Sequence, residues 1–282
     1  MPRAAETIAL TVLALLSFAA NSILNRMALA GHLIDAASFT AIRLASGAVM
    51  LGLLVRARAG GWAPLRGRGL TGPLALAAYA VPFSFAYLRI GASVGALVLF
   101  GTVQLTMIGW GVLRGERPTP RVWAGMALAA AGLAWLAVPA ATRPDPLGTV
   151  LMMTAGVAWS VYSLAGKRVS DLLAANARSF LWATPIALLV AAAQPARLSV
   201  GTRGAALAVL SGAVTSGLGY AIWYRALRGL TATQAAIVQL SVPVIAAGGA
   251  VVLLREHPSS RLVASGLAVL GGLALVLSRR SR

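Results

Sequence analysis

Two short stretches of the chain match each other 140 residues apart: Gly115-Glu116-Arg117-Pro118 and Arg255-Glu256-His257-Pro258. The same spacing relates flanking positions, namely Arg121 to Arg261, Ala124 to Ala264, Gly132 to Gly272, and Ala92-Ser93 to Ala232-Thr233. Nearer the start of each half the spacing is 141, where Ser38-Phe39 matches Ser179-Phe180. The 282-residue chain is therefore predicted to hold two related units, residues 1–141 and residues 142–282.

The composition indicates an integral membrane protein. Hydrophobic residues make up 59% of the chain, charged residues make up 11%, and the mean hydropathy is +0.83. A soluble domain carries about 25% charged residues, which is well above this value. The chain contains no cysteine, which excludes disulfide bonds, thiolate metal ligands and cysteine nucleophiles.

Apolar segments bounded by Gly, Pro and Arg predict the transmembrane helices. The ten predicted spans cover residues 5–25, 34–55, 69–88, 92–113, 121–139, 147–166, 175–194, 204–224, 232–254 and 261–278. The first span is expected to be retained rather than cleaved as a signal peptide. The predicted fold class is an all-α integral membrane protein of ten transmembrane helices. Because each unit has an odd number of helices, the second unit would be inverted, as in many secondary transporters.

The distribution of arginine predicts the orientation. With the N-terminus inside, sixteen basic residues fall in cytoplasmic loops and termini and seven fall on the opposite side. Short cytoplasmic loops carry an excess of Lys and Arg, so both termini are predicted to be cytoplasmic. This distribution explains the net charge of +18 better than binding to nucleic acid, and no nucleic-acid partner is expected.

Several motifs resemble a known family. They are Gly115-Glu116-Arg117 followed by Gly125, Pro243 followed by Arg255-Glu256, Ala158-Trp159 with Tyr162, the run Trp223-Tyr224-Arg225-Ala226-Leu227-Arg228, and Asn21 with Arg43. Together with the repeat, they make the chain resemble an EamA-type permease of the drug/metabolite transporter superfamily. The resemblance implies a ten-helix bundle with a central cavity that exports or exchanges small metabolites. The first unit departs from the pattern, because Val103 stands where Pro243 has its counterpart.

Arg43 is the candidate site residue with the strongest physical argument. It lies roughly nine residues into its span and hence near mid-membrane, where an ionisable group costs about 2.5–3.5 kcal/mol or more. The guanidinium either anchors an anionic group of a substrate or clamps helices together through carbonyls, Asn21 or Asn25. The recurrence of the family pattern across substrate classes favours the clamp. Asn21 and Asn25 share one helix face, which either lines a cavity or hydrogen-bonds across helices.

Further cavity candidates are polar or aromatic residues that fall deep in their spans. Gln104 and Gln239 lie in the middle of the related fourth and ninth spans, and the aromatic candidates are Trp159, Tyr162, Trp182 and Tyr220. Each aromatic residue taken alone is explained by packing. As a group they predict a pocket that tolerates apolar and polar ligands, because buried Tyr and Trp seek partners for their polar atoms.

Three residues are predicted to have structural or hinge roles. Pro243 removes a hydrogen bond inside its helix and is the hinge candidate. Glu116 and Glu256 end helices beside Arg117 and Arg255, where a carboxylate would hold the loop through arginine and backbone donors.

The sequence therefore predicts a secondary transporter in the inner membrane of a prokaryote, an exporter or exchanger of small metabolites such as amino acids. It would work by alternating access at a central cavity, without a cofactor or metal, as a monomer or a homodimer in the lipid bilayer. A membrane-embedded lipid-carrier translocase or enzyme is the alternative. The deep catalytic acid or histidine that an enzyme would need is not evident in the sequence, and the small-molecule substrate is not specified by it.

Overall fold

The computed structural model describes residues 4–29, 31–62, 69–90, 92–137, 145–195, 198–254 and 260–277. Within these ranges the chain forms ten helices. The first five are α1 (Ala4–Leu29), α2 (Ala36–Ala59), α3 (Thr71–Ala86), α4 (Ala92–Leu113) and α5 (Pro120–Ala137). The second five are α6 (Pro146–Gly166), α7 (Leu172–Ala192), α8 (Thr202–Leu227), α9 (Ala232–Val238 and Ser241–Leu254) and α10 (Ser260–Leu277). The predicted number of helices is confirmed, and the predicted boundaries agree within a few residues.

Several helices begin where the sequence supplies a cap for the unpaired amides of the first turn. Asp35 accepts a hydrogen bond from the amide of Ser38 at 2.9 Å, and Asp145 accepts one from Gly148 at 2.6 Å. Asp171 caps α7 through Ala174 at 3.0 Å. Thr231 and Gln234 form a capping box at the start of α9. The three aspartates, Asp35, Asp145 and Asp171, therefore cap helix ends rather than lie at the centre of the bundle.

The distribution of polarity is that of a protein surrounded by lipid. Large apolar side chains such as Leu105 and Leu113 are 80% and 84% exposed, whereas Arg43 and Gln239 are fully buried. Seven of the described helices are long and apolar enough to cross a membrane, and α3 and the middle of α10 are shorter apolar helices. In a bilayer, polar groups must find their hydrogen-bond partners inside the protein, whereas apolar side chains can face the lipid. The chain is therefore a multi-pass membrane protein.

Helices of the first half pack mainly against helices of the second half. The main pairs are α2 with α7 and α8, α5 with α10, α3 with α6 and α7, α4 with α6 and α9, and α1 with α8 and α9. The α5 and α10 backbones approach closely through glycine, because a Cβ atom on Gly125 would lie 2.5 Å from the carbonyl oxygen of Gly272. Small residues permit this close packing between membrane helices.

Two helices of the second half depart from regular α geometry. The middle of α8, Ser211–Leu218, is a π-helix, a rare form that is often found at functional sites. The other helix, α9, is interrupted at Gln239 and Leu240. Pro243 has no N–H to donate to the carbonyl of Gln239, and that carbonyl accepts a hydrogen bond from Val242 at 3.1 Å instead. The interruption therefore lies one turn before Pro243 rather than at it.

Candidate functional site

Arg43 lies on α2 at the centre of the bundle and is completely buried. Its Nη2 atom donates a hydrogen bond to the Tyr220 hydroxyl of α8 at 3.3 Å, and its Cζ atom lies 5.8 Å from the centroid of the Tyr79 ring of α3. The Nε and Nη1 atoms of the guanidinium make no hydrogen bond. A buried donor without a partner costs about 1–3 kcal/mol, so this arginine has unused binding capacity.

No carboxylate within the described ranges neutralises Arg43. Three of the acidic residues there pair with other arginines, since Glu6 pairs with Arg225, Asp171 with Arg58 and Asp145 with Arg89. The other two, Asp35 and Glu116, accept hydrogen bonds from helix amides. Of the predicted clamp partners, the Asn21 side-chain oxygen and the Asn25 side-chain nitrogen are engaged elsewhere, and the Asn25 side-chain oxygen makes no hydrogen bond. Arg43 is thus a positively charged group in a low-dielectric interior without a described counter-ion, which is an attractive place for an anion.

Aromatic rings surround this arginine. The ring centroid of Trp159 on α6 lies 4.9 Å from that of Tyr220 and 5.0 Å from that of Tyr79. Phe18 of α1 lies 5.3 Å from Trp159, and Phe180 of α7 lies 5.7 Å from Tyr220. Five helices therefore contribute rings, in the tilted and edge-to-face geometries that aromatic pairs prefer.

Gln239 connects this cluster to the interruption of α9. Its side-chain oxygen accepts a hydrogen bond from the Trp159 indole nitrogen at 2.6 Å, and its side-chain nitrogen donates to the carbonyl of Ala235 at 2.8 Å. That nitrogen also lies 3.6 Å from the sulfur of Met107 on α4. Gln104 precedes Met107 by one turn, is buried, and has a side-chain nitrogen without a hydrogen bond.

Asn21 holds α1 against the π-helical part of α8. Its side-chain oxygen accepts hydrogen bonds from the hydroxyls of Ser211 at 2.6 Å, Thr215 at 3.3 Å and Ser216 at 3.4 Å. The Asn25 amide nitrogen donates to the carbonyl of Asn21 at 2.8 Å, while the Asn25 side-chain oxygen makes no hydrogen bond. The face of α1 that these two residues share is therefore an interhelical contact with one unused acceptor.

Tyr162 joins α6 to α7 and α8. Its hydroxyl donates to the side-chain oxygen of Asn176, and its backbone carbonyl accepts a hydrogen bond from the Tyr224 hydroxyl at 3.2 Å. The indole nitrogen of Trp223 donates to Ser163 at 3.1 Å. These contacts fix the wall of the aromatic cluster on its second-half side.

Glu116 ties the turn after α4 to the start of α9. Its carboxylate accepts hydrogen bonds from the amides of Ala232 at 2.7 Å and Thr233 at 3.0 Å. Gly115 has a φ of +90°, which glycine adopts without steric cost, and this turn directs Glu116 toward α9. Gly111 provides the space, because a Cβ atom there would lie 2.8 Å from Oε2 of Glu116.

The surroundings of Glu116 change its proton affinity. Burial raises the pKa of this carboxyl, but hydrogen bonds from Thr233 and from the amide of Ala232 lower it further, so the pKa lies below its ordinary value. The positive end of the α9 dipole favours the same charged form. Lys167 lies nearby and donates to the carbonyl of Leu230. Burial lowers the pKa of this amine, while the charge of Glu116 opposes the change.

The structure brings most of the predicted site residues into one buried region. Arg43, Tyr220, Trp159 and Gln239 form a connected set, Tyr162 is in ring contact with it, and Asn21, Asn25 and Gln104 are buried. Glu256 lies outside the described residues. Across the described ranges, no three His, Asp or Glu side chains come together as metal ligands would.

The prediction for Trp182 is wrong. This side chain is 54% exposed and lies on the outer face of α7. The buried face of that helix carries Asn176, Phe180 and Ala183. Trp182 follows Asn176 by six positions, which at about 100° per residue places it off that face. Its depth in the span was estimated correctly, but its direction was not.

Sequence reasoning missed three members of the site: Tyr79, Phe18 and Asn176. Tyr79 lies under the guanidinium, Phe18 joins three other rings, and Asn176 receives the Tyr162 hydroxyl. A tyrosine and an asparagine in the interior of apolar spans were the available signals. Phe18 carried none, because a phenylalanine in a membrane helix is usual.

The fold and this interior define a class of protein: an α-helical, multi-pass membrane protein with a polar and aromatic site at its centre. A family model described as the EamA-like transporter family matches residues 146–278. An uncharacterized protein of Pseudomonas aeruginosa is 50% identical over 275 residues, which cover 98% of this chain and 96% of that one. The chain belongs to the EamA-like transporter family, which confirms the resemblance noted in the sequence.

Two further comparisons are consistent with this family and this fold. An uncharacterized transporter of Archaeoglobus fulgidus is 28% identical over 209 residues, covering 70% of this chain and 71% of that one. A protein of known crystal structure superposes with a TM-score of 0.80 at 23% identity, covering 100% of this chain and 99% of the other. That likeness shows that the fold of the whole chain has been observed experimentally.

Proposed function

We propose that this protein is a secondary transporter of the inner membrane that exports or exchanges small metabolites by alternating access at the Arg43 site. The buried guanidinium with two unpartnered nitrogen atoms is the observation that carries the proposal. A charged group is costly at the centre of a membrane protein and by default suggests a function. Membership of the EamA-like transporter family supports transport as that function.

The substrate class follows from the chemistry around Arg43. A guanidinium binds a carboxylate through two parallel hydrogen bonds, which come from Nη2 together with either Nε or Nη1. Nε and Nη1 are without partners, and Nη2 uses one of its two N–H groups for Tyr220. Trp159, Tyr79 and Tyr220 would contact an apolar or aromatic remainder. Amino acids and related carboxylates have this combination. In this proposal Arg43 is the anchor of the substrate rather than a clamp between helices.

The packing of the helices supports two inverted five-helix units. If each helix is replaced by the helix five places away, α3 against α6 becomes α8 against α1, and α4 against α6 becomes α9 against α1. The pairs of α2 with α7 and of α5 with α10 are unchanged by this exchange. The contact between Gly125 and Gly272 likewise corresponds to that between Ser265 and Gly132. This pattern is expected of a two-fold axis in the membrane plane.

The direction and coupling of transport are the finer parts of the proposal. The five described acidic residues all serve ion pairs or helix ends, so a proton relay through mid-membrane carboxylates has no carrier among them. Exchange of one carboxylate for another at Arg43 requires no such relay. We place both termini in the cytoplasm, on the evidence of the arginine distribution.

Counterflow in proteoliposomes tests this function. Protein purified in detergent is reconstituted into vesicles loaded with unlabelled amino acids or other metabolites, and entry of the labelled compound is followed with and without a pH gradient. We expect carboxylates to exchange and their amides to exchange poorly. Arg43→Gln should slow counterflow of the carboxylate about 10- to 100-fold, because a hydrogen bond to a charged group contributes about 1.5–3 kcal/mol.

The controls separate an anchor from a clamp. Arg203→Gln changes an exposed arginine near the start of α8 and should leave counterflow unchanged. The anchor predicts that Arg43→Gln keeps its folded yield and transports the amide as the wild type does. Lower yield with equal losses for carboxylate and amide would support the clamp. Absence of counterflow for every compound in the panel would contradict the transport function itself.

A further inference from the structure

A cavity of about 590 Å³ opens at the end of the bundle where α2 and α8 end and α7 begins. Its lining residues include Arg58, Arg225, Arg228 and Asp171. Leu172 and Ala221 are among its apolar lining residues. Arg43 does not line it, so this cavity is separate from the candidate transport site.

The cavity wall has an excess of positive charge. Three arginines and one carboxylate line it. Arg58 pairs with Asp171, and the Nε atom of Arg225 pairs with Glu6 on α1 at 3.1 Å. Arg228 donates from Nη2 to the backbone carbonyls of Val169 and Ser170, at 2.8 Å each. Those two bonds fix the position of its guanidinium without neutralising its charge.

A second source of positive potential lies at the same place. The α7 helix begins at Leu172, which lines the cavity. The N-terminus of a helix carries about half an elementary positive charge. Asp171 is committed both to its cap contact with Ala174 and to its ion pair with Arg58. The carbonyls that hold Arg228 belong to the segment just before this helix, so the guanidinium lies beside the α7 start.

The position of the cavity matches the headgroup region of a bilayer. With the orientation predicted from the arginine distribution, this end of the bundle faces the cytoplasm, where anionic lipids concentrate. Basic pockets between membrane helices on that side bind phosphate-bearing headgroups. Apolar lining residues such as Leu172 and Ala221, together with the arginines, suit a ligand with both a charged and an apolar part.

We propose that this cavity binds a phosphate-bearing anion, supplied either by an anionic lipid headgroup or by a soluble phosphate compound. Arg225 on α8, Arg228 directly after α8 and Arg58 on α2 would contact the phosphate oxygens. Arginine suits this role because its planar guanidinium donates two parallel hydrogen bonds to phosphate. Because the site joins α2, α7 and α8, its occupancy stabilises the contact between the two halves of the chain.

Thermal unfolding of the detergent-purified protein tests the proposal without measuring transport. The unfolding midpoint is recorded during titration with short-chain phosphatidylglycerol, short-chain phosphatidylcholine or inorganic phosphate. We expect a saturable increase with phosphatidylglycerol and a smaller one with phosphatidylcholine, whose headgroup has no net charge. Competition by millimolar inorganic phosphate would assign the site to soluble phosphate compounds. Its failure to compete would assign the site to the lipid.

Paired variants locate the effect in the cavity. The double variant Arg225→Gln/Arg228→Gln should weaken phosphatidylglycerol binding about fivefold for each arginine removed. Arg56→Gln is the matched control, because Arg56 lies at the same end of α2 but stacks on Trp62 at 5.4 Å and does not line the cavity. Equal midpoints with both lipids and with phosphate in the wild type would overturn the proposal. Unchanged binding in a folded double variant would also overturn it.

Discussion

Trp159 and Gln239 form a polar contact inside the aromatic cluster. The indole nitrogen donates to the glutamine oxygen at 2.6 Å, and both side chains are buried. A hydrogen bond in a low-dielectric interior is strong, and an unpaired partner there is correspondingly costly. The contact therefore links the wall of the candidate site on α6 to the interruption of α9.

Trp159→Phe should destabilise the protein by about 1–3 kcal/mol, because it leaves the Gln239 oxygen buried without a donor. Adding Gln239→Leu to that variant should recover part of the loss, since the unpaired oxygen is then removed. The measurement is the thermal unfolding midpoint in detergent. Trp123→Phe, at a side chain that is 48% exposed, is the control and should change little. If the losses of stability from the two substitutions simply add, the hydrogen bond between Trp159 and Gln239 is contradicted.

Individual residues were predictable from the sequence where their chemistry is costly in a membrane. Arg43 and Gln239 are polar groups in apolar spans, and the expectation that they face the interior is met by their complete burial. The direction of an aromatic side chain carries no comparable cost, because lipid and protein interior are both apolar. Trp182 was misplaced and Phe18 was missed for that reason.

At the scale of elements, the turn after α4 and the start of α9 form one unit. Gly115 lets the chain turn, Gly111 leaves room, and Glu116 binds the amides of Ala232 and Thr233. The first-half copy of the repeated sequence stretch therefore supplies a helix cap to a distant part of the chain. The predicted structural role of Glu116, which holds its loop through arginine and backbone donors, takes the form here of hydrogen bonds from two backbone amides of α9.

Glu116→Gln should lower stability by about 1 kcal/mol, because it removes a charged cap from a helix N-terminus. The pKa of Glu116 lies below its ordinary value in the folded protein. The contribution of the Glu116 carboxylate to stability is therefore present above the ordinary pKa of glutamate and is lost as the pH falls through the lowered pKa of the folded protein. Unfolding midpoints measured between about pH 7 and pH 3.5 should converge for the wild type and the variant at the acidic end.

Glu6→Gln is the matched control for that measurement. Glu6 pairs with Arg225 at a site where the side chains are 37% and 62% exposed. Exposed ion pairs contribute about 0–1 kcal/mol, so this variant should stay near the wild type at neutral pH. A gap between Glu116→Gln and the wild type that persists undiminished at acidic pH would contradict the cap.

The helices themselves were predictable because apolar length is imposed by the bilayer. Their irregularities were less accessible. Pro243 predicts an irregularity in α9. Because proline has no N–H, the carbonyl that loses its hydrogen bond is that of Gln239, one turn earlier. The π-helix at Ser211–Leu218 was not predicted. Its glycines and hydroxyl residues occur in many regular membrane helices, so the sequence did not distinguish this segment from a regular helix.

For the whole molecule, the exchange pattern of helix contacts agrees with the spacing of 140 to 141 residues in the sequence. If a unit of five helices is duplicated, its two copies enter the membrane from opposite sides. The two copies can then enclose a site near the midplane. Arg43 of the first half donates to Tyr220 of the second half, and both side chains are buried. The inverted duplication stays a prediction, and the sequence did not indicate which helix faces would meet.

Sidedness of single cysteines tests the inverted pair most directly, and the natural chain contains no cysteine. Gly61→Cys and Thr202→Cys occupy equivalent positions, 141 residues apart, just after α2 and at the first residue of α8. Each variant is labelled in intact cells with an impermeant maleimide, before and after permeabilisation. We predict that Thr202→Cys reacts in intact cells and that Gly61→Cys reacts only after permeabilisation. Labelling of both cysteines from the same side would contradict inversion and, with it, the proposed mechanism.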